Sequence, residues 1–260
     1  MNDAMLEKLL SSKKYRDICP DTVRRVWADC CAKYKRAKDA DKAAREALHG
    51  ITGAFMTPEE ARQITYDMHA WYCDPTDHGL ERILSRHAST RERLPIADMD
   101  ALYGRVFEIT GRPRSVLDLA CGVNPVYLGA RGIETLGVDI SGQAVGAVNC
   151  FGETYGQPVS AVCADLLCPG TIPKRRFDVA LLFKLLPLLE RQRIGAALDV
   201  MNAVNAAFLV VSFPTRTLGG RNVGMAGQYS DWMEAHMPPR RETAGRIETR
   251  NELFFVLKEI

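Results

Sequence analysis

From about residue 115 onward, short apolar runs rich in β-branched residues alternate with stretches of helical character: SVLDLA, ETLGVDI, PVSAVCAD, FDVALLF, AAFLVVSF and ELFFVLKEI. Runs this short and this apolar suit strands buried on both faces, and a crossover helix returns the chain to begin each parallel neighbour. The expected fold class is therefore α/β, a doubly wound, Rossmann-like parallel sheet. Between the last two runs lie a helix-like stretch, Tyr229 to His236, and a strand signal around Arg246 to Thr249. GRIETRNELFF thus reads as a terminal antiparallel hairpin on the sheet edge.

Ahead of residue 110 the punctuation is helical. Met5, Leu6, Leu9 and Leu10 fall at helical spacing, and Pro20-Asp21 opens a helix with Val23, Val26 and Trp27 on one face. Ala43 to Leu48 continues as helix until Gly50, after the basic stretch KYKRAK. Thr57-Pro58-Glu59-Glu60 is a helix start, with Thr57 as cap and Glu60 completing a capping box. Asp74-Pro75-Thr76-Asp77 breaks that helix, and HASTRERL opens another near Ser89. Two units are expected: a helical subdomain over 1–110 and a sheet domain over 111–260.

In an open α/β sheet, ligands bind beyond the carboxyl ends of the strands, where strand order reverses. Two aspartates, Asp118 and Asp139, sit at such ends. A nicotinamide enzyme needs G-x-G-x-x-G after the first strand so that backbone can approach a pyrophosphate. Here the turn is Ala120-Cys121-Gly122-Val123-Asn124-Pro125, with a single glycine and an acid just before it. That chemistry suits a cofactor with no phosphate, a cationic group near the turn and ribose hydroxyls for Asp139. S-adenosyl-L-methionine meets the description. Asp165, at the end of the third strand run, is an acceptor suited to an adenine amino group.

Net charge is distributed unevenly. Residues 1 to 50 hold twelve Lys or Arg against eight Asp or Glu, so this segment carries +4 and the remainder, within an overall +2, carries −2. A polyanionic partner is therefore sought there first. The eight cysteines show neither CxxC spacing nor an accompanying His cluster, so reduced thiols and no metal are expected. The charged, amphipathic N-terminus and the lack of a long apolar run argue against a signal peptide or a membrane span, and a cytoplasmic monomer is expected.

At this point a resemblance becomes specific. D-L-A-C-G-x-N-P, with S-K-K-Y-R-x-x-C-P-D-T and H-A-S-T-R-E-R-L upstream and F-K-L-L-P-L-L-E-R-Q and S-F-P-T-R-T-L-G-G-R downstream, resembles the aminoglycoside-resistance methyltransferases of 16S ribosomal RNA. The resemblance spans essentially the whole chain. It implies a class I S-adenosylmethionine-dependent fold preceded by a helical RNA-docking subdomain, and methylation of guanine 1405 at N7 in the decoding A site of the 30S subunit. The consequence it implies is resistance to 4,6-disubstituted deoxystreptamine aminoglycosides, with S-adenosyl-L-homocysteine as the second product.

The same resemblance implies cofactor contacts at His87, Thr90, Arg93, Asp118, Ala120, Gly122, Asp139, Ile140, Asp165, Leu166 and Phe183. An Arg93 guanidinium fork matches the methionine carboxylate. The positions matching Lys184 and Glu190 are implied to matter for activity in positioning roles. Lys184 is expected to project into the cleft, with Glu190 or RNA as its partner, because burying it unpaired is costly. Lys13, Lys14, Arg16, Lys33, Lys35, Arg36 and Lys38 are expected to meet phosphates, and Arg216 and Arg221 to meet phosphates or the guanine edge. Phe107 or Phe183 is the aromatic expected to stack on an extruded base. Two alternatives stay open: a methyltransferase for another rRNA base or a small molecule, and a non-catalytic RNA-binding factor with a vestigial cofactor pocket.

Overall fold

The computed structural model describes residues 3–52, 55–215 and 226–260. Its first three helices, α1 (Asp3–Leu10), α2 (Pro20–Lys33) and α3 (Ala37–Thr52), build a small core of their own. Val23, Val26, Trp27 and Cys30 line one face of α2, and Ala40, Ala44 and Leu48 one face of α3, the spacing at which helical side chains stack. Here α3 is longer than the sequence suggests. It begins at Ala37 and runs through Gly50, whose absent side chain faces open space.

Four further helices, α4 (Pro58–Cys73), α5 (Asp77–Ser85), α6 (Ala88–Arg91) and α7 (Ile96–Thr110), belong to a different core. Ile64, Met68, Trp71, Leu80, Ile83, Met99, Tyr103 and Val106 pack with Val116, Phe151, Val179 and Val210 of the sheet layer. The α4 capping box is reciprocal: the Glu60 amide donates to Thr57 Oγ1 at 3.1 Å and the Thr57 amide to Glu60 Oε2 at 2.7 Å. Thr76 caps α5 by accepting from the Gly79 amide at 3.0 Å. The helix expected near Ser89 is only α6, four residues long, with His87 rather than Ser89 at its cap position.

The sheet has β1 (Ser115–Leu119), β2 (Glu134–Asp139), β3 (Val159–Cys163), β4 (Phe177–Phe183), β5 (Ala206–Pro214), β6 (Arg241–Glu248) and β7 (Glu252–Glu259). Their order is β3-β2-β1-β4-β5-β7-β6. The first five are parallel and β7 is antiparallel to both neighbours, so the sheet is doubly wound with a terminal hairpin. Strand β6 starts at Arg241, well before the expected Arg246. Helices α8 (Asn124–Ala130) and α9 (Gly142–Tyr155) lie with α4–α7 on one face; α10 (Leu186–Gln192), α11 (Ala196–Ala203) and α12 (Ala226–Ala235) cover the other. Close packing of α9 on β3 requires Gly152, where a Cβ would meet the Val159 carbonyl oxygen at 2.1 Å.

Strand order reverses at β1, which pairs with β2 on one side and β4 on the other. That crevice is where the fold leaves room for a ligand. The α1–α2 loop is stitched to it by backbone: Cys19 N donates to Ile140 O and Gly142 N to Asp17 O, each at 2.7 Å. No helix among the described residues is long and apolar enough to cross a membrane.

Candidate active site

The turn after β1 is built by backbone conformation. Ala120 and Gly122 both adopt positive φ, 55° and 51°, which folds the chain sharply between β1 and α8. Gly122 is obligatory for a second reason: a Cβ there would meet the His87 ring at 2.5 to 2.8 Å. The Gly122 amide donates to Asp139 Oδ2 and the Ser141 amide to Asp139 Oδ1, both at 2.8 Å. Asp139 therefore ties the β1 turn to the β2 turn. Burial pushes its carboxyl up, while the amides oppose the shift.

Asp118 is almost completely buried and accepts a hydrogen bond from Asn124 Nδ2 at 2.6 Å. Asn124 Oδ1 in turn accepts from the Tyr103 hydroxyl at 3.0 Å. Burial raises the Asp118 carboxyl to about 7, against the lowering effects of Asn124 and then Arg93. Sequence reasoning placed Asp118 correctly at the strand end but did not find Tyr103 or Asn124.

Above the turn, the buried His87 ring stacks on Phe55 with centroids 5.7 Å apart, and its Nδ1 lies 3.4 Å from Thr90 Oγ1. Burial, followed by the nearby Arg93 charge, lowers the imidazole to about 4, so His87 is neutral at physiological pH. Arg93 is also buried. Its Nη2 donates to Glu252 Oε2 at 3.2 Å and its Nε lies 2.8 Å from Glu252 Oε1, within ion-pair distance but outside hydrogen-bond geometry. The guanidinium carbon sits 4.6 Å from the Phe183 ring centroid.

Lys184 follows β4 directly and has φ 54°, a left-handed conformation unusual for a residue with a side chain. Its amide donates to Ser212 O and Ser212 Oγ at 3.0 Å, which holds the bend against β5. Its ammonium pairs with Glu92 and lies 3.4 Å from Glu252 Oε1. The partner expected from sequence, Glu190, is elsewhere: its carboxylate accepts from the Gly195 and Ala197 amides at 3.0 and 2.9 Å and so caps α11. The reason is local, since orphan amides at a helix start are the nearest donors an acid at the end of α10 meets. The cluster of Glu92, Arg93, Lys184, Ser212 and Glu252 was legible only in its two cations.

Asp165 lies just after β3, and both of its oxygens are engaged within the protein. Oδ2 takes Arg25 from α2 at 2.8 to 2.9 Å and Oδ1 accepts the Leu167 amide at 2.8 Å. Arg25 also donates to Gln192 Oε1 at 2.8 Å, spanning from the first helical core to α10. Ile140 and Leu166 are partly exposed beside these groups, as a flat apolar ligand requires. Phe183 is covered by Arg93 and edge-on to Phe254 at 5.3 Å, and Phe107 packs beside Tyr103, so neither ring is free to stack on a base here.

Lys13, Lys14, Arg16, Lys33, Lys35, Arg36 and Lys38 are all exposed on the α1–α3 unit. Arg216 and Arg221 lie outside the described residues. All eight cysteines are free thiols. Among the described residues no His, Cys, Asp and Glu cluster suits a metal.

The arrangement selects against phosphate. The amides that would greet a pyrophosphate are already used: Cys121 N by Val138 O, Gly122 N by Asp139 and Asn124 N by Cys121 O. What remains is acidic, with Asp118 and Asp139 flanking the turn, beside a cluster at β4 in which Arg93 and Lys184 are paired with Glu252 and Glu92. This donor set fits a ligand carrying an ammonium, a carboxylate and ribose hydroxyls, as S-adenosyl-L-methionine does.

Comparison with known proteins agrees with that chemistry. Residues 11–256 match the family model described as ribosomal RNA methyltransferase (FmrO). A 16S rRNA (guanine(1405)-N(7))-methyltransferase of Serratia marcescens is 40% identical over 260 residues, covering 100% of this chain and 98% of the relative. One of Micromonospora echinospora is 33% identical over 272 residues, covering 99% and 96%. The crystal structure of the 16S rRNA methyltransferase RmtF in complex with S-adenosyl-L-homocysteine superposes with a TM-score of 0.90 at 43% identity, covering 100% of both chains.

Proposed function

The chain belongs to the ribosomal RNA methyltransferase (FmrO) family, and from that premise we propose that it methylates N7 of guanine 1405 in the decoding A site of 16S rRNA, using S-adenosyl-L-methionine. The substrate is the assembled 30S subunit, and the protein acts as a cytoplasmic monomer. The observation that carries this reading is the pair of carboxylates, Asp118 and Asp139, flanking a turn at the strand-order reversal whose amides are closed to phosphate.

Asp118 would receive the donor's ammonium and Asp139 its ribose, with Gly122, Ala120, Ile140 and Leu166 shaping the walls. Arg93, held by Glu252, presents positive charge toward the methionine carboxylate, while His87 and Thr90 close the roof. When bound, the donor supplies an electrophilic methyl carbon on a sulfonium. Guanine N7 has a free lone pair and no proton, so the chain needs no general base. Its contribution is orientation and a fixed field. Lys184 would orient the target or its phosphate from the β4 side, and Glu190 would support the turn behind it by capping α11. The helices of residues 1–110, above all the basic α1–α3 unit, dock on folded rRNA by shape and phosphate contact. A methyl group and positive charge on that guanine would block 4,6-disubstituted deoxystreptamine aminoglycosides.

The test is to incubate purified small subunits with protein and methyl donor, cleave at N7-methylguanine with borohydride and aniline, and map stops by reverse transcription. One new break in the decoding site, absent with Asp139→Asn, is expected. Modification of another base, or none despite bound cofactor, would refute the assignment.

A further inference from the structure

The catalytic reading above does not use Tyr103, yet its hydroxyl donates to Asn124, the residue whose amide holds Asp118. We propose that Tyr103 is a positioning residue for the amino-acid end of the methyl donor, acting through Asn124 to hold Asp118 as an oriented anion. This rests on the donor's ammonium docking at Asp118.

The geometry leaves little freedom. Tyr103 is 2% exposed and fixed on α7 by Tyr127, whose ring stacks on it with centroids 4.9 Å apart at 22°. Tyr127 is itself anchored, its hydroxyl donating to Asp100 Oδ1 at 2.6 Å. The Tyr103 hydroxyl donates to Asn124 Oδ1 at 3.0 Å, and Asn124 Nδ2 to Asp118 Oδ2 at 2.6 Å. Asn124 is 2% and Asp118 1% exposed, so water does not substitute readily for any member of the chain.

An amide has two ends, and only one of them suits a carboxylate. With Nδ2 toward Asp118, the anion is stabilised. Rotated by half a turn, the amide would present Oδ1, which accepts only from a protonated Asp118. Tyr103 biases the choice: its hydroxyl donating to Oδ1 leaves Nδ2 for Asp118, whereas accepting from a rotated Nδ2 would take from the buried hydroxyl proton its Asn124 acceptor. Without that hydroxyl, Oδ1 is a buried acceptor without its donor, and rotation onto a protonated Asp118 becomes the way to satisfy it.

Protonation of Asp118 lies within reach, since burial has already raised its carboxyl to about 7. The charged groups facing it are Arg93, which favours the anion, and Asp139, which disfavours it; Tyr103 and Cys121 face it as neutral groups. The Asn124 hydrogen bond is the largest influence opposing burial. Its loss therefore moves protonation to higher pH, where it competes directly with the incoming ammonium.

The experiment is a calorimetric titration with S-adenosyl-L-homocysteine from pH 5.5 to 8.5, on the wild-type chain and Tyr103→Phe. Affinity in the wild type is expected to fall by up to about tenfold per pH unit below the Asp118 midpoint. In Tyr103→Phe the fall should begin about one pH unit higher, giving about fivefold weaker binding at pH 7, approaching about tenfold below pH 6, and convergence above pH 8. Superimposed curves, or a loss equal at every pH, would overturn the proposal, because a merely structural role has no reason to track one proton. Asn124→Ala removes the donor to Asp118 outright and should shift the fall in the same direction; it carries the test if Tyr103→Phe does not fold. Failure of the wild type to bind at any pH would instead overturn the cofactor reading.

Discussion

The carboxylate of Glu252 lies 2.8 Å from the guanidinium of Arg93, although 159 positions separate the two in the chain. The contact welds the first residue of β7, on the terminal hairpin, to the segment that roofs the proposed donor site. Glu252 also lies 3.4 Å from the Lys184 ammonium and accepts from Ser212 Oγ at 2.6 Å. Two cations from opposite walls of the crevice thus share one buried acid, and Arg93 and Lys184 hold its carboxyl below the ordinary glutamate range despite burial.

Glu252→Gln keeps the shape and removes the charge, leaving Arg93 and Lys184 only the partly exposed Glu92 between them. Breaking a buried pair in this way costs about 3–5 kcal/mol, which denaturant unfolding will register. Lys184→Met in the same chain should cost less in the Glu252→Gln background than alone, since the cation it removes has already lost one of its two acids. Additive losses in the double-variant cycle would contradict a shared acid.

His87 and Asp118 bias stability in opposite directions over the same pH range. His87 is near 4 when folded and 6.5 when unfolded, so the unfolded chain binds more protons between these values and His87's contribution is lost as pH falls. Asp118 is near 7 when folded and 3.8 when unfolded, so the folded chain binds more protons and stability is lost as pH rises. Each contributes a slope of about 1.4 kcal/mol per pH unit, and the two oppose one another between about 4 and 6.5. Relative to wild type, Asp118→Asn should therefore gain stability with rising pH across this window, while His87→Gln should lose it. Unfolding curves at four or five pH values will check the two opposite difference slopes.

What could be read from the chain alone divides by sequence distance. Asp118, Asp139 and the single-glycine turn were legible because strand period, turn chemistry and strand-end position are all local signals. The capping box of Thr57 and Glu60 was legible for the same reason. Glu252, Tyr103 and Arg25 were not, because each acquires its role from a partner 21 to 159 positions away, and around them the local pattern shows only an ordinary hairpin or helix face. Lys184 was identified as a cation needing an acid, but its true partners, Glu92 and Glu252, come from the end of α6 and the start of β7, segments brought together only by the tertiary fold. Glu190, an acid six positions further on, caps the next helix instead.

Gly122 combines a positive φ with contact against an imidazole, and these two demands can be separated. Ala120 occupies φ 55° with a Cβ, so the conformation alone is tolerable at moderate cost; the clash with His87 at 2.5 Å is the larger obstacle. Gly122→Ala is expected to weaken S-adenosyl-L-homocysteine binding by at least about tenfold. Combining it with His87→Ala, which clears the ring, should restore part of that loss relative to Gly122→Ala. An unimproved double variant would place the requirement in backbone conformation instead.

Arg25 is the side chain through which α2 reaches both Asp165 and Gln192, and its loss should be felt on either side of the crevice. Arg25→Met preserves the aliphatic stem but leaves Asp165, 3% exposed, buried with only the Leu167 amide. A stability loss of about 2–4 kcal/mol is expected, mostly from that uncompensated carboxylate. The backbone stitches from Asp17 and Cys19 to the β2–α9 turn remain, so α1–α3 should loosen rather than detach. Hydrogen exchange is the measurement that separates these outcomes. Faster exchange confined to α2, the segment after β3 and the end of α10 is expected, with the β1, β4 and β5 amides unchanged. Because Arg25 joins the basic helices to the segment after β3, linkage requires that any effect of 30S on cofactor affinity be matched by an equal effect of cofactor on 30S affinity, and Arg25→Met should weaken both alike. Subunit affinity measured with and without S-adenosyl-L-homocysteine should differ for the wild type and differ less for Arg25→Met; equal ratios in the two proteins would show that Arg25 holds the fold together without coupling the sites.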